Sequence, residues 1–216
     1  GNLVTNSSWK DMWLNEGFTS YVENRITEAV YGPELAQMEF VIAQNGLKDE
    51  LADMEPKNQL LALAPLAGVD PDEALTGVPY TKGQWFLSFL EQRFGRASFD
   101  PFLRKWFDDH AFTSQDTAEF ERFLKAELLD KNPGKATPEE IHAWLHEPGV
   151  PSFATTAVAA RFEAVDAART HWLAGHINTT DIDSAAWGTQ EWVRFIEGMP
   201  KTITVAQAAD LDAAYH

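Results

Sequence analysis

One acidic residue lies within an apolar stretch near the start of the sequence. In DMWLNEGF, residues 11–18, Glu16 has Trp13, Leu14 and Phe18 as neighbours, and these side chains are typical of a protein core. Burying an unpaired carboxylate is costly, so Glu16 needs a cationic partner, a raised pKa or a bound metal ion. From these residues alone, an ion pair with a nearby Lys or Arg and a place in a metal site both stay open.

A pair of histidines has the spacing of metal ligands on one helix face. His142 and His146, in HAWLH, are one helical turn apart. However, Ala143 stands where a zinc peptidase would carry its general base, and Pro148 ends the helix soon afterwards. We therefore interpret the pair as a surface or packing feature.

Most of the chain has apolar residues at helical spacing. The first such segment covers residues 7–31; Ser7 and Ser8 are candidate caps, and Gly32 and Pro33 end it. The same pattern predicts further helices over 33–54, 79–94, 99–112, 117–130, 138–146, 155–174, 184–198 and 204–215.

Two interruptions divide this helical pattern. Residues 55–77 lack clean periodicity, which predicts a long irregular loop, and loops of this length usually have a function. The breaker EPGVP, at 147–151, is the strongest candidate for a domain boundary. We predict an all-α fold with one domain over 1–150 and a second over 151–216.

The charge and composition restrict the partners. The 216 residues include 33 acidic and 17 basic side chains, a net charge of −16, which disfavours nucleic acid and anionic membranes and favours cationic peptide amino termini. No cysteine is present, so disulfides and cysteine-ligated zinc are excluded. We identify no transmembrane run and no signal peptide. Because GNLVTN is not a typical natural start, cytoplasmic and periplasmic locations both stay open.

Three stretches resemble one enzyme family. GNLVTNSSWKDMWLNEGFTSYVE resembles the segment after the H-E-x-x-H zinc motif of the gluzincin aminopeptidases. GVDPDEALTGVPYTKGQWFLSFLEQRFG, residues 68–95, is similar to the branch that includes leukotriene A-4 hydrolase and bacterial aminopeptidases. WLHEPGVP resembles that branch's junction between domains. The resemblance implies the helical lobe of a thermolysin-like catalytic domain, followed by the start of an armadillo-like helical domain.

The resemblance also implies a role for Glu16. In this family the H-E-x-x-H helix supplies two zinc-binding histidines and a general-base Glu, and the next helix supplies a third ligand, which Glu16 matches. Both histidines and the base would precede Gly1. We therefore expect the chain to be an inactive fragment that binds no zinc by itself, whereas its parent enzyme binds zinc.

Two further residues match positions of the family, and a third is singled out by its place on the helix. Tyr80 matches the catalytic tyrosine, whose phenol donates a hydrogen bond to the oxyanion; the alternative is an aromatic that packs at a helix start. Asp72 matches a substrate-binding aspartate that directs water during epoxide opening; the alternative is a turn residue in DPD. Leu75 replaces a tyrosine of the epoxide-hydrolysing relatives, which weakens that activity. Glu23 lies two helical turns from Glu16 on the same face of the helix. It could orient Glu16 without contacting the metal itself, or it could be a solvated helix acid.

We predict that the parent protein is a zinc metallo-aminopeptidase that hydrolyses N-terminal residues from peptide substrates. The alternative is a non-catalytic helical interaction module with the same fold. Without the upstream motif helix, Trp9 and Trp13 would be uncovered. We therefore expect the chain to self-associate, or to associate with the missing N-terminal portion, through a face that includes Trp9 or Trp13.

Overall fold

A computed structural model describes residues 2–63 and 76–215, and this part of the chain is mainly helical, which confirms the all-α prediction. Its α-helices are α1 Trp13–Tyr31, α2 Pro33–Ala52, α3 Gly83–Phe94, α4 Arg96–Asp109, α5 Thr117–Leu124, α6 Pro138–His146, α7 Ala160–Leu173, α8 Thr189–Glu197 and α9 Val205–Tyr215. Within the described ranges, no helix is long and apolar enough to cross a lipid bilayer.

Two short strands were not predicted. β1 Val4–Asn6 pairs in parallel with β2 Thr113–Gln115, with Val4 opposite Thr113. The Ser7 amide extends the ladder by donating to the Gln115 carbonyl at 2.7 Å. Three residues are too few to produce a recognisable alternation of apolar and polar side chains, so the sequence carried no strand signal here.

Helix α1 begins at Trp13 rather than at residue 7, and a short 3-10 helix, Trp9–Asp11, precedes it with Ser8 at its N-cap position but without a side-chain cap hydrogen bond. The hydroxyls of Ser7 and Ser8 donate to Oδ2 of Asp11 at 3.4 and 3.0 Å. Oδ1 of the same buried carboxylate accepts from the backbone N–H and the hydroxyl of Thr117 at 3.0 and 2.8 Å. Asp11 therefore ties the segment before α1 to the start of α5.

Aromatic side chains from α1, α3 and α5 form the centre of the main core. Trp13 is 0 % exposed, its ring centroid lies 5.0 Å from that of Phe120 and 5.8 Å from that of Phe86, and its indole N–H donates to Thr117 Oγ1 at 3.0 Å. The prediction that Trp13 lies on an association face is therefore wrong, since α3 and α5 already cover it. Trp9 is 50 % exposed, so its part in association stays a prediction.

A second, smaller cluster lies in the last third of the chain. Trp172 on α7 and Phe195 on α8 are buried there, with ring centroids 6.1 Å apart. The connection between α6 and α7 also contacts the main core, where the Trp85 indole N–H donates to the Thr155 carbonyl at 2.9 Å. The domain boundary near residue 150 stays a prediction.

Candidate active site

Two glycines allow α1 to cross the start of α3 at backbone contact. A Cβ atom on Gly17 would lie 2.8 Å from the Cα of Gly83 and 3.2 Å from the carbonyl oxygen of Pro79. A Cβ atom on Gly83 would lie 2.7 Å from the Cα of Gly17. Any side chain at either position would force the helices apart. Because Glu16 directly precedes Gly17 and Tyr80 directly follows Pro79, the crossing places the two predicted residues near each other, close enough for the charge of Glu16 to act on the Tyr80 phenol.

Tyr80 lies on a π-helical turn, Val78–Lys82, that leads directly into α3. Such turns are rare and are frequent at functional sites. Pro79 fits the first turn, where its missing N–H leaves no hydrogen bond unmade. The turn therefore begins the helix without a break and presents the Tyr80 side chain near Glu16.

A carboxylate on α2 fixes the start of this turn. The amide of Gly77 donates to both carboxylate oxygens of Glu50, at 2.9 and 3.1 Å. A negative charge at a helix N-terminus also interacts favourably with the helix dipole. Glu50 was not predicted from the sequence, because nothing in an ordinary helix acid indicates a partner that lies 27 positions further along the chain.

The electrostatic environment keeps the Tyr80 phenol protonated. Burial raises the pKa of Tyr80 above its usual value, and the negative charge of Glu16 raises it further. The side chain is nevertheless 37 % exposed, so a ligand can reach it. Tyr80 is therefore a hydrogen-bond donor at neutral pH.

The carboxylate of Glu16 has no cationic partner in the part of the chain that the structure describes, residues 2–63 and 76–215. It is partly buried and lines an open cavity of about 430 Å³, together with Asn6, Asn15 and Trp9. The ion pair with Lys or Arg that the sequence left open is thus absent there. A partly buried carboxylate without a counter-charge, at the edge of an open cavity, fits one ligand of a metal ion.

The described residues do not complete a metal site around Glu16. Among them, no group of three or more His, Asp or Glu side chains could hold an ion. Zinc in catalytic sites takes three protein ligands and a water. The histidine pair lies on α6, away from Glu16. There Nε2 of His146 lies 3.0 Å from a carboxylate oxygen of Glu121, and the His142 and His146 ring centroids are 4.9 Å apart.

The remaining predicted residues lie apart from this arrangement. Glu23 is exposed and borders an apolar groove of about 500 Å³ that Phe18, Val22 and Ile26 also line. Its role in positioning Glu16 stays a prediction. Asp72 and Leu75 lie outside the described residues.

Comparisons with known proteins identify the family of this chain. The model of the peptidase family M1 domain matches residues 1–144. The chain belongs to peptidase family M1. Residues 1–144 of this M1 chain contain both Glu16 and Tyr80, and also the glycines at which their helices cross.

Relatives of this M1 chain include two curated proteins and one solved structure. The leukotriene A-4 hydrolase homolog of Botryotinia fuckeliana is 30 % identical over 225 residues, which cover 100 % of this chain and 34 % of that protein. Leucine aminopeptidase 2 of Neosartorya fischeri is 36 % identical over 154 residues, 70 % of this chain and 25 % of that protein. The structure of native leukotriene A4 hydrolase from Saccharomyces cerevisiae matches 99 % of this chain and 37 % of its own, with 30 % identity and a TM-score of 0.85.

These matches confirm the resemblance to leukotriene A-4 hydrolase-like aminopeptidases. The M1 chain spans between about a quarter and about a third of the length of these curated relatives.

Proposed function

We propose that this chain is part of a zinc aminopeptidase that removes N-terminal residues from peptides, with Glu16 as a zinc ligand and Tyr80 as a hydrogen-bond donor to the oxyanion. The observation that carries the proposal is the crossing of α1 and α3, which places an uncompensated carboxylate near a phenol whose pKa is raised. Leucine aminopeptidase 2 of Neosartorya fischeri, a relative of this chain, supports the same activity by its name.

Tyr80 acts where negative charge develops. When the scissile carbonyl becomes tetrahedral, its oxygen gains charge, and a fixed phenol O–H then donates a stronger hydrogen bond than it does to the ground state. Burial raises the pKa of the Tyr80 phenol above its usual value, so the phenol keeps its proton, and remains a donor, at neutral pH.

Glu16 would hold the metal from α1, beside ligands that residues 2–63 and 76–215 do not supply. When bound, zinc polarises a carbonyl and lowers the pKa of a coordinated water. We propose that the chain by itself has no peptidase activity and binds no stoichiometric zinc, because one carboxylate cannot form a zinc site.

The net charge of −16 favours substrates with a cationic amino terminus. Peptides fit this preference. Leu75, which replaces the tyrosine of the epoxide-hydrolysing relatives, does not favour epoxide hydrolysis, so that activity is not part of the proposal.

A non-catalytic helical module is the second candidate, since the described residues supply only one of the required ligands. The two candidates differ in what the full-length protein does. An aminopeptidase hydrolyses aminoacyl p-nitroanilides and holds about one zinc per chain, whereas an interaction module does neither.

Tyr80→Phe in the full-length protein tests the assignment. We expect kcat for leucine p-nitroanilide to fall by about 10²–10³-fold with little change in KM, because the lost donor acts on the transition state. Tyr31→Phe is the matched control, since Tyr31 is 70 % exposed at the end of α1 and should leave kcat unchanged. A Tyr80→Phe enzyme with the kcat of the wild type would remove Tyr80 from the mechanism.

A further inference from the structure

A fully buried lysine lies two positions after Tyr80. Lys82 is 0 % exposed, and its ammonium donates to the backbone carbonyl oxygen of Gln59 at 2.9 Å and to that of Glu147 at 2.8 Å. Burial lowers the pKa of Lys82 to about 8, although the charge of Glu147 raises it in part. Burying a cation is costly, so a lysine here needs a reason beyond filling space.

The two carbonyl groups belong to segments that are remote from α3 in sequence. The side-chain amide of Gln59 donates to the carbonyls of Leu51 and Met54, at 3.0 and 2.7 Å, so Gln59 is fixed to the end of α2. Glu147 directly follows α6. The Lys82 ammonium therefore joins the turn that carries Tyr80 to the ends of two other helices.

Lys82 and Tyr80 lie on opposite sides of the turn. Two residues apart on a helix point to roughly opposite sides. Lys82 accordingly points into the interior, whereas Tyr80 is 37 % exposed on the side of Glu16. An anchor on the inner side of the turn thus determines how the turn is rotated, and with it where the phenol lies.

We propose that Lys82 is a positioning residue for Tyr80: by holding the carbonyls of Gln59 and Glu147, its ammonium fixes the rotation of the π-helical turn and hence the place of the phenol O–H. This inference rests on the proposed function of Tyr80. Methionine, of similar length, would avoid the buried charge but would leave both carbonyls without this donor, and an unsatisfied buried acceptor is itself destabilising.

The first test uses the 216-residue chain and does not depend on catalysis. Backbone hydrogen–deuterium exchange is measured over residues 76–83 for wild type, Lys82→Met and the control Lys57→Met, whose side chain is 75 % exposed. We expect exchange in the turn to become at least about tenfold faster in Lys82→Met, which corresponds to the loss of about one hydrogen bond, and to stay unchanged in Lys57→Met. Equal exchange in the two variants would overturn the anchor.

The second test is a double-mutant cycle in the full-length protein. We expect Lys82→Met to lower kcat by about tenfold or more with KM nearly unchanged, because even a small displacement of a catalytic group lowers the rate of the chemical step strongly. Tyr80→Phe should then cost much less in the Lys82→Met background than in the wild type, because the phenol is already displaced.

Lys82→Gln has an N–H donor but a shorter, neutral side chain, so it should hold the two carbonyls more weakly than lysine and should lose less kcat than Lys82→Met. If the methionine variant does not fold, Lys82→Gln takes its place, with faster exchange and a lower kcat than the wild type still expected, and wild-type values of both would overturn the anchor. Additive losses of kcat in the cycle would overturn the positioning role, because a lysine that only supports the fold acts independently of Tyr80. If Tyr80→Phe alone has no effect, the proposed function fails, while the exchange experiment still decides whether Lys82 anchors the turn.

Discussion

Replacing Gly17 by alanine should destabilise the protein by pushing α1 away from α3. The new Cβ atom would lie 2.8 Å from the Cα of Gly83, roughly half an ångström closer than ordinary contacts allow. The obstructing atoms belong to the backbone of Gly83 and to the carbonyl of Pro79, so no change of rotamer can relieve the overlap. The two helices must separate, and the aromatic core between them loses contact.

The size of the effect follows from two opposing contributions. Overpacking by one methyl group costs about 1–3 kcal/mol, and a backbone obstruction places Gly17→Ala near the upper end. Alanine in a helix interior is about 1 kcal/mol more favourable than glycine, which offsets part of this cost. We therefore expect a net loss of about 2 kcal/mol in the free energy of unfolding.

Gly46→Ala is the matched control, because Gly46 is also inside a helix but has nothing within 4 Å of its added Cβ atom. It should gain about 1 kcal/mol from helix propensity alone. The Tm of the 216-residue chain can be measured by far-ultraviolet circular dichroism. Gly17→Ala should lower this Tm by about 4–8 °C, and Gly46→Ala should raise it by about 2–4 °C. A Gly17→Ala variant as stable as the wild type would refute the close crossing of the two helices.

Four further outcomes are expected. Trp13→Glu should unfold the chain rather than change its association, because it buries an unpaired charge; circular dichroism and sedimentation separate the two. Asp11→Ala, which leaves the Thr117 donors unpaired, should lower the free energy of unfolding in urea by about 1–3 kcal/mol. Since the folded pKa of Lys82 is about 8, below its usual 10.5, the unfolded chain binds more protons above pH 8. Wild type should therefore gain stability relative to Lys82→Met, by about 1 kcal/mol between pH 7 and pH 9 in urea titrations. Metal analysis of the dialysed chain should find far less than one zinc per molecule, and a stoichiometric zinc would contradict the single-ligand assignment of Glu16.

The helices could be predicted because their signals are local. Apolar residues at helical spacing and a terminal Gly-Pro pair predicted an end at residue 31, and α1 does end at Tyr31. Ser7 and Ser8 also had the local pattern of a helix cap, yet their hydroxyls donate to Asp11. The competing acceptor lies only a few residues away, but its orientation is fixed by Thr117, which is remote in sequence.

The site could be predicted only in part, because contacts between residues that are remote in sequence leave no local pattern. Glu16 and Tyr80 were predicted from motifs that resemble a family, and the glycine within each motif was visible in the sequence. That Gly17 and Gly83 contact each other is a property of the folded chain. Glu50 and the buried Lys82 could not be assigned, because each acts on backbone groups that no local pattern connects to it.

The parallel pairing of β1 with β2 constrains the order in which the protein folds. The hydrogen bonds between Asp11 and Thr117, next to the paired strands β1 and β2, join residues that are 106 positions apart. The entropic cost of bringing these two residues together is low only when the chain between them is already compact. Contacts of such separation form slowly compared with those between neighbouring helices. On the ribosome, the residues just before Glu16 would therefore become fixed only after α5 has emerged, and the start of α1, which carries Glu16, would be among the last parts of this lobe to become ordered.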